Sequence, residues 1–320
     1  MKTNIVPKLI CPSCRRPALE ILKIINKDKV EIRQGILKCA YCDSEFRIND
    51  GILDFLIDPE EEILNEQKGW AILKNAINNS DELMLSLPDG IEEYKDTWKG
   101  QANNFYHMVS SLNLKGNENI LDIGAGRCWA SRYFAKYGCD VIAIDILLTK
   151  YVGLLTSDLY IENDNIYFER ILSDMTGLPF KDNTFEYVFV SASLHHSLDL
   201  LKSLKEVKRV LKPKGRFIIT NEPVRGIIKN NRKDNEEIKV GINEKDYRLR
   251  EYLDLLERAG FNYELEFWLG GNNKLVDLVN RSLEKLLEKE KINRFIWDPI
   301  KYLQLSTKGG VINLFAYPKN

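Results

Sequence analysis

Ile120, Leu121 and Ile123 form a short apolar run that leads directly into Gly124-Ala-Gly126, and a helical segment follows from about Ala130. A second apolar run, Val141-Ile-Ala-Ile144, ends on Asp145. In a nucleotide-binding βαβ unit, glycines let the backbone approach a ligand closely. An acid about 20 residues on, at the end of the second strand, accepts from ribose hydroxyls. A dinucleotide fingerprint begun at Gly124 would need glycine at position 129. Trp129 stands there instead, so the spacing argues against a dinucleotide.

Four of the six cysteines form two identical pairs, Cys11-Pro-Ser-Cys14 and Cys39-Ala-Tyr-Cys42. Each pair can sit on a tight turn with both thiolates facing one ion. Two such turns complete a closed tetrahedral zinc site with no position left for substrate. Disulfides or a redox pair are the competing readings, and doubled spacing without a signal peptide favours zinc. Residues 19–29 and 29–37 carry β-branched side chains around Asn26-Lys-Asp28, as a ribbon hairpin would. Arg15, Arg16 and Lys38 lie near enough in sequence to offset the negative charge of four thiolates. Cys128 and Cys139 read as small core residues.

The histidines are His107, His195 and His196. Imidazole is the natural general base near neutral pH. Adjacent side chains on a turn rarely point the same way, so at most one of His195 and His196 should face a substrate. The plainer alternative is that both pack or cap the next helix.

The elements that must position these groups alternate. Strands are predicted at 119–123, 140–145, 166–173, 185–191 and 215–221. A helix is predicted at 199–211, with Leu200, Leu204, Val207 and Leu211 on one face and Pro213 and Gly215 ending it. Such alternation implies a parallel sheet wrapped by helices, with ligands at the carboxyl ends of its strands. A helical stretch over 92–114 carries Tyr94, Trp98, Phe105, Tyr106 and Met108. Further on, 252–259 reads as helix and 263–268 and 310–316 as strands, with an amphipathic segment at 273–291 between those two strands. The division expected is a zinc ribbon over 1–57, a linker with short helices over 58–91, and a main domain over 92–320 with an insertion at 269–308.

The formal net charge is −1 and 44% of residues are hydrophobic, so no generic polyanion-binding surface is advertised. No apolar run is long enough to span a membrane, and the N-terminal residues lack a signal-peptide pattern, so a cytoplasmic location is expected.

Asp122-x-Gly124-x-Gly126 resembles the first motif of class I S-adenosylmethionine-dependent methyltransferases, with Cys128 at the third glycine position. Leu172-Ser-Asp174-Met175, the run from Gly177 to Val188, Leu194-His-His196 and Val210-Leu-Lys-Pro-Lys-Gly-Arg-Phe217 follow in the order of the type-11, ubiquinone-biosynthesis-like group. The likeness covers roughly 92–268. It implies an α/β, Rossmann-like seven-stranded methyltransferase sheet with helices on both faces, its last two strands an antiparallel hairpin. It also implies Asp145 on the cofactor ribose and Asp174 with Met175 at the adenine. Asp122 orients the glycine loop or meets the cofactor's ammonium, and Ser191 approaches the methionine part. The cysteine module through Ile48-Asn-Asp-Gly-Ile-Leu-Asp-Phe-Leu56 is similar to the zinc-ribbon activator subunit of certain tRNA and protein methyltransferases.

Methyl transfer to an O, C or N atom of a small molecule or metabolite is the reading favoured. The Asn-Pro-Pro-Tyr type signature of amino-group methylation is replaced by Ser191-Ala-Ser-Leu-His-His, which argues against an exocyclic adenine or glutamine amide as acceptor. An RNA base methyltransferase using the ribbon for RNA contact is the second reading, and a non-catalytic partner-binding scaffold the third. A deep apolar pocket would favour the metabolite, and an open basic trough running to the ribbon would favour RNA.

Overall fold

The computed structural model describes residues 1–74, 79–227, 236–266, 299 and 301–319. Four short strands come first: β1 (Leu19–Lys27), β2 (Ile32–Cys39), β3 (Glu45–Asn49) and β4 (Ile52–Asp54). Helices α1 (Glu61–Lys74), α2 (Asp81–Ser86) and α3 (Lys95–Ser110) follow. Then β5 (Asn119–Ile123), α4 (Trp129–Lys136), β6 (Asp140–Asp145), α5 (Ser157–Asp164), β7 (Glu169–Leu172), β8 (Phe185–Ser191) and α6 (Leu200–Val210) alternate. The chain closes with β9 (Leu211–Arg225), α7 (Glu236–Lys239), α8 (Leu249–Arg258), β10 (Phe261–Glu266) and β11 (Gly309–Pro318).

All eleven strands belong to one sheet, in the order β1-β2-β3-β4-β7-β6-β5-β8-β9-β11-β10. Strands β5 to β8 pair in parallel, and β8 pairs in parallel with β9. β11 runs antiparallel between β9 and β10, as the expected terminal hairpin. Parallel strands buried on both faces need largely apolar runs, and β5 supplies the fully buried Ile120, Leu121 and Ile123, broken only by the buried Asp122. Strand order reverses at β5, with β6 on one side and β8 on the other. That geometry opens a crevice beyond their carboxyl ends.

The expected seven-stranded sheet with a separate ribbon needs correction. The ribbon extends the sheet to eleven strands because β4 pairs in parallel with β7, with Leu53 opposite Ile171 and Asp54 opposite Leu172. Phe55 N–H then donates to the Leu172 carbonyl at 2.9 Å. An open edge at β7 would leave unpaired backbone groups, and the ribbon covers them. Beneath this seam the fully buried Arg170 of β7 forks onto Glu31, just before β2, at 3.0 and 2.9 Å. Burial disfavours the Glu31 charge, but Arg170 outweighs it and holds the carboxyl down at about 2.

Other boundaries moved modestly. The helix predicted at 199–211 spans 200–210, started by the Asp199 side chain accepting from Lys202 N–H at 2.9 Å. The strand predicted at 215–221 runs longer because β11 pairs with it as far as Arg225. The strand predicted at 166–173 is confined to Glu169–Leu172. The amphipathic stretch 273–291 lies outside the described residues. No helix among the described residues is long and apolar enough to cross a membrane.

Replacing Arg170 with Ala removes the fork on the buried Glu31 carboxylate, which keeps Arg33 at 2.8 Å and the Met1 amine as partners. The expected loss of unfolding free energy in urea is roughly 1–3 kcal/mol. A single-variant loss below about 1 kcal/mol would show that this bridge does not hold the ribbon to the sheet.

Candidate active site

A cavity of about 760 Å³ occupies the crevice at the strand-order reversal. Its floor is the turn after β5. Gly124 has φ of +62° and Gly126 of +46°, backbone that L side chains rarely adopt. A Cβ at Gly124 would also fall 1.8 Å from Ser193 Oγ, so the turn packs directly against the segment after β8. Cys128, at the third glycine position of the pattern, is itself left-handed with φ of +58°, and its side chain is fully buried at the start of α4.

Asp145 ends β6 and lines the cavity. Its carboxylate accepts from Gly126 N–H at 2.7 Å and Leu147 N–H at 2.8 Å, which fixes its plane and leaves a further lone pair on each oxygen. Burial pushes its carboxyl up to about 6 against the pull of those donors. Asp174 and Met175 follow β7 and line the same cavity, and Asp174 accepts from Thr176 N–H at 2.8 Å. Ser191, at the end of β8, accepts from Asn221 Nδ2 at 3.1 Å. Asp122 is different. It lies beneath the cavity rather than in its lining and accepts from Ser131 Oγ at 2.6 Å, tying the glycine turn to α4.

His195 and His196 close the other end. Both line the cavity, and their rings lie 4.1 Å apart, so the expectation that the pair diverges is not met. The short helical turn Leu194–His196 curls them together. His195 Nδ1 sits 3.1 Å from the Glu222 carboxylate, and its Nε2 sits 3.4 Å from Glu244. Burial opposes charge on this ring, but the Glu222 and Glu244 carboxylates outweigh it and lift the pKa to about 10. His196 Nδ1 donates to the Asn243 carbonyl at 3.0 Å. Burial, with the neighbouring His195 charge, pushes His196 down to about 4.

Several wall residues were missed in the sequence. Glu66 and Trp70 come from α1, in the stretch expected to be a linker. Burial raises the Glu66 carboxyl to about 8, and the Trp70 ring packs edge-on against His196 at 5.9 Å. Their spacing of four places both on one helix face, a signal that was available. From the 92–114 stretch, Trp98 and Gln101 reach the cavity while Phe105 and Met108 are fully buried in the core. Glu222 and Glu244 had no such signal.

The second candidate centre is the ribbon. The Cys11 and Cys42 sulfurs are 3.6 Å apart, as are those of Cys14 and Cys39, and all four lie within 4.8 Å of one another. That is too far for disulfides, whose sulfurs bond at about 2.05 Å. It suits a tetrahedral zinc with bonds of about 2.3 Å, which separates sulfurs by about 3.8 Å. Nearby cations are already engaged: Arg15 with Glu206, Lys38 with Asp43 at 2.8 Å, and Arg16 stacked on Tyr41 at 3.4 Å.

Comparison with known proteins fits this geometry. Residues 121–219 match the family model described as a methyltransferase domain. A demethylmenaquinone methyltransferase of Paenarthrobacter aurescens is 34% identical over 112 residues, 35% of this chain and 42% of that protein. Phosphoethanolamine N-methyltransferase 1 of Zea mays is 26% identical over 196 residues, 60% of this chain and 37% of that protein. This chain thus spans less than half the length of these curated relatives. Among solved structures, Haemonchus contortus phosphoethanolamine N-methyltransferase 2 in complex with S-adenosyl-L-methionine aligns with a TM-score of 0.48 at 20% identity. That alignment covers 76% of this chain and 60% of that one.

The Asp145 carboxyl sits above its ordinary value, so it is charged only above about pH 6. Calorimetric affinity for S-adenosylhomocysteine is expected to hold near neutrality and fall as pH drops through about 6. In Asp145→Asn it should be weaker by about 1.5–3 kcal/mol, with that pH step gone. An unchanged step in the variant would place the titration elsewhere.

Proposed function

We propose that the protein transfers a methyl group from S-adenosylmethionine to an oxygen, carbon or nitrogen atom of a small molecule. The observation that carries this reading is the continuity of one cavity from Asp145 and the glycine turn to His195 and His196. Its size falls in the range of small-molecule and cofactor sites. Arg127 and the protonated His195 are the cations of its described lining, against the carboxylates of Asp145, Asp174, Glu237 and Glu244. Such a wall attracts a sulfonium cation and repels a phosphate backbone.

In this reading Asp145 accepts from the ribose hydroxyls and Gly124 and Gly126 give the backbone close approach. Asp174 and Met175 meet the adenine, Ser191 the methionine part, and Asp122 braces the turn through Ser131. S-adenosylmethionine, when bound, supplies a methyl group already activated on sulfur. The chain's task is then alignment and exclusion of water. Trp70 and Trp98 supply apolar walls, and His195 and His196 orient the acceptor at the far end. Cys11, Cys14, Cys39 and Cys42 hold one structural zinc that fixes the ribbon, and through β4 the edge of the sheet at β7.

Two measurements test this. Labelled S-adenosylmethionine should lose its methyl group to a metabolite fraction, and His196→Ala should cut turnover roughly 100-fold or more with cofactor affinity nearly intact. Strongly salt-dependent binding to structured RNA, with label entering that RNA, would replace the small-molecule acceptor. Absence of S-adenosylmethionine binding would leave a scaffold.

Elemental analysis should find zinc in the ribbon, and Cys39→Ser should lose it together with thermal stability, because metal binding and folding are linked there. Cysteines found in disulfides in the native protein would contradict the zinc site.

A further inference from the structure

His195, His196 and Glu244 offer ligand atoms that all lie within 4.8 Å of one another. We propose that these three residues bind a divalent transition-metal ion, through the Nε2 atoms of both histidines and a carboxylate oxygen of Glu244, in the wall of the cavity. This ion is distinct from the one held by the cysteines.

The first support is the way the imidazoles are set. His195 directs Nδ1 at the Glu222 carboxylate at 3.1 Å, and His196 directs Nδ1 at the Asn243 carbonyl at 3.0 Å. These Nδ1–H bonds to a carboxylate and a carbonyl keep both Nε2 atoms turned toward the site, the arrangement that orients metal-ligating histidines, and a bound ion would displace the Nε2 proton that His195 directs at Glu244. Both Nε2 atoms then converge on the same Glu244 oxygen, at 3.4 and 3.8 Å. A tetrahedral ion with bonds of about 2.1 Å separates its ligand atoms by about 3.4 Å, so an ion fits with little movement.

The second support is rigidity. The Glu222 carboxylate also accepts from the N–H groups of Ser193 and Leu194, both at 2.6 Å, so the partner behind His195 is itself fixed. Asn243 Nδ2 returns a bond to the His196 carbonyl at 2.6 Å, and Lys245 Nζ donates to the Ser197 carbonyl at 2.9 Å. Residues 243–245 therefore clamp the histidine turn. Charge agrees as well: the Glu222 carboxylate faces His195 and the Glu244 carboxylate faces both rings, so two carboxylates are in place to balance a divalent cation.

Two imidazoles and one carboxylate select a zinc- or iron-like ion over magnesium or calcium, and three protein ligands leave a coordination position open. All three residues line the cavity, so that position faces the acceptor's end. An acceptor hydroxyl bound there would ionise more readily, its proton passing to water. Its oxygen would form the O–CH₃ bond as the S–CH₃ bond breaks, leaving neutral S-adenosylhomocysteine. That use rests on the methyl-transfer reading, whereas the metal site rests on ligand geometry alone.

The test is cobalt(II) titration of the full chain with zinc already in the cysteine site. One further equivalent is expected, without a thiolate charge-transfer band. Cobalt-edge X-ray absorption on the same wild-type sample should show nitrogen and oxygen neighbours and no sulfur. Glu244→Gln and His196→Ala should each weaken that equivalent at least tenfold while ribbon zinc and S-adenosylhomocysteine affinity report intact folding. No saturable second equivalent, sulfur neighbours, or unchanged affinity in both variants would overturn the proposal. S-adenosylhomocysteine binding without a second metal would overturn it while leaving the methyl-transfer reading standing.

Discussion

One buried carboxylate, held by two backbone donors, organises this site. Asp145 is 8% exposed, and burial alone would neutralise it. Two backbone donors oppose that, and one of them, Gly126 N–H, points at Asp145 only because the turn after β5 adopts left-handed backbone. The turn can do so because β5 and β6 are parallel neighbours and Asp122 anchors α4 through Ser131. Sheet order, glycine turn and helix start thus serve a single electrostatic requirement. The same turn leaves no room for a side chain at Gly124, because Ser193 from the next strand end fills the space. Acidic and histidine ends of the cavity are therefore locked in register.

The ribbon adds a second constraint. Through β4 it completes the edge at β7, and Leu172, which pairs there, directly precedes the Ser173–Met175 segment of the cavity wall. The module that carries the four-cysteine cluster thereby covers the strand end that shapes the crevice. Arg170 and Glu31 pin the same seam from below. In this arrangement the cysteine site is architecture with a functional consequence.

The strand, turn and acid from Ile120 to Asp145 were readable because local chemistry dictates them: apolar strands, glycines where φ is positive, an acid at a strand end. The clustering of the cysteine pairs was readable for the same reason, since two thiols on one tight turn need short fixed spacing. Other features depend on distance in sequence. Nothing near Leu53 announces Ile171 as its partner, so the merging of ribbon and sheet was invisible. Glu222 and Glu244 reach the histidines from a long strand and an irregular segment, with no periodicity to mark them. Residues 61–74 looked like a charged spacer because the face toward the cavity is short, with the acidic Glu66 set between Ile63 and Trp70. Adjacent histidines were expected to diverge, and only the tight turn at Leu194–His196 brings their rings together.

The most direct test of the central claim is a crystal structure of the full chain with S-adenosylhomocysteine. The account predicts ribose hydroxyls on the Asp145 carboxylate, adenine beside Asp174 and Met175, and the thioether sulfur directed along the cavity toward His195 and His196. A nucleoside bound outside this crevice, or a sulfur directed away from the histidine end, would contradict it.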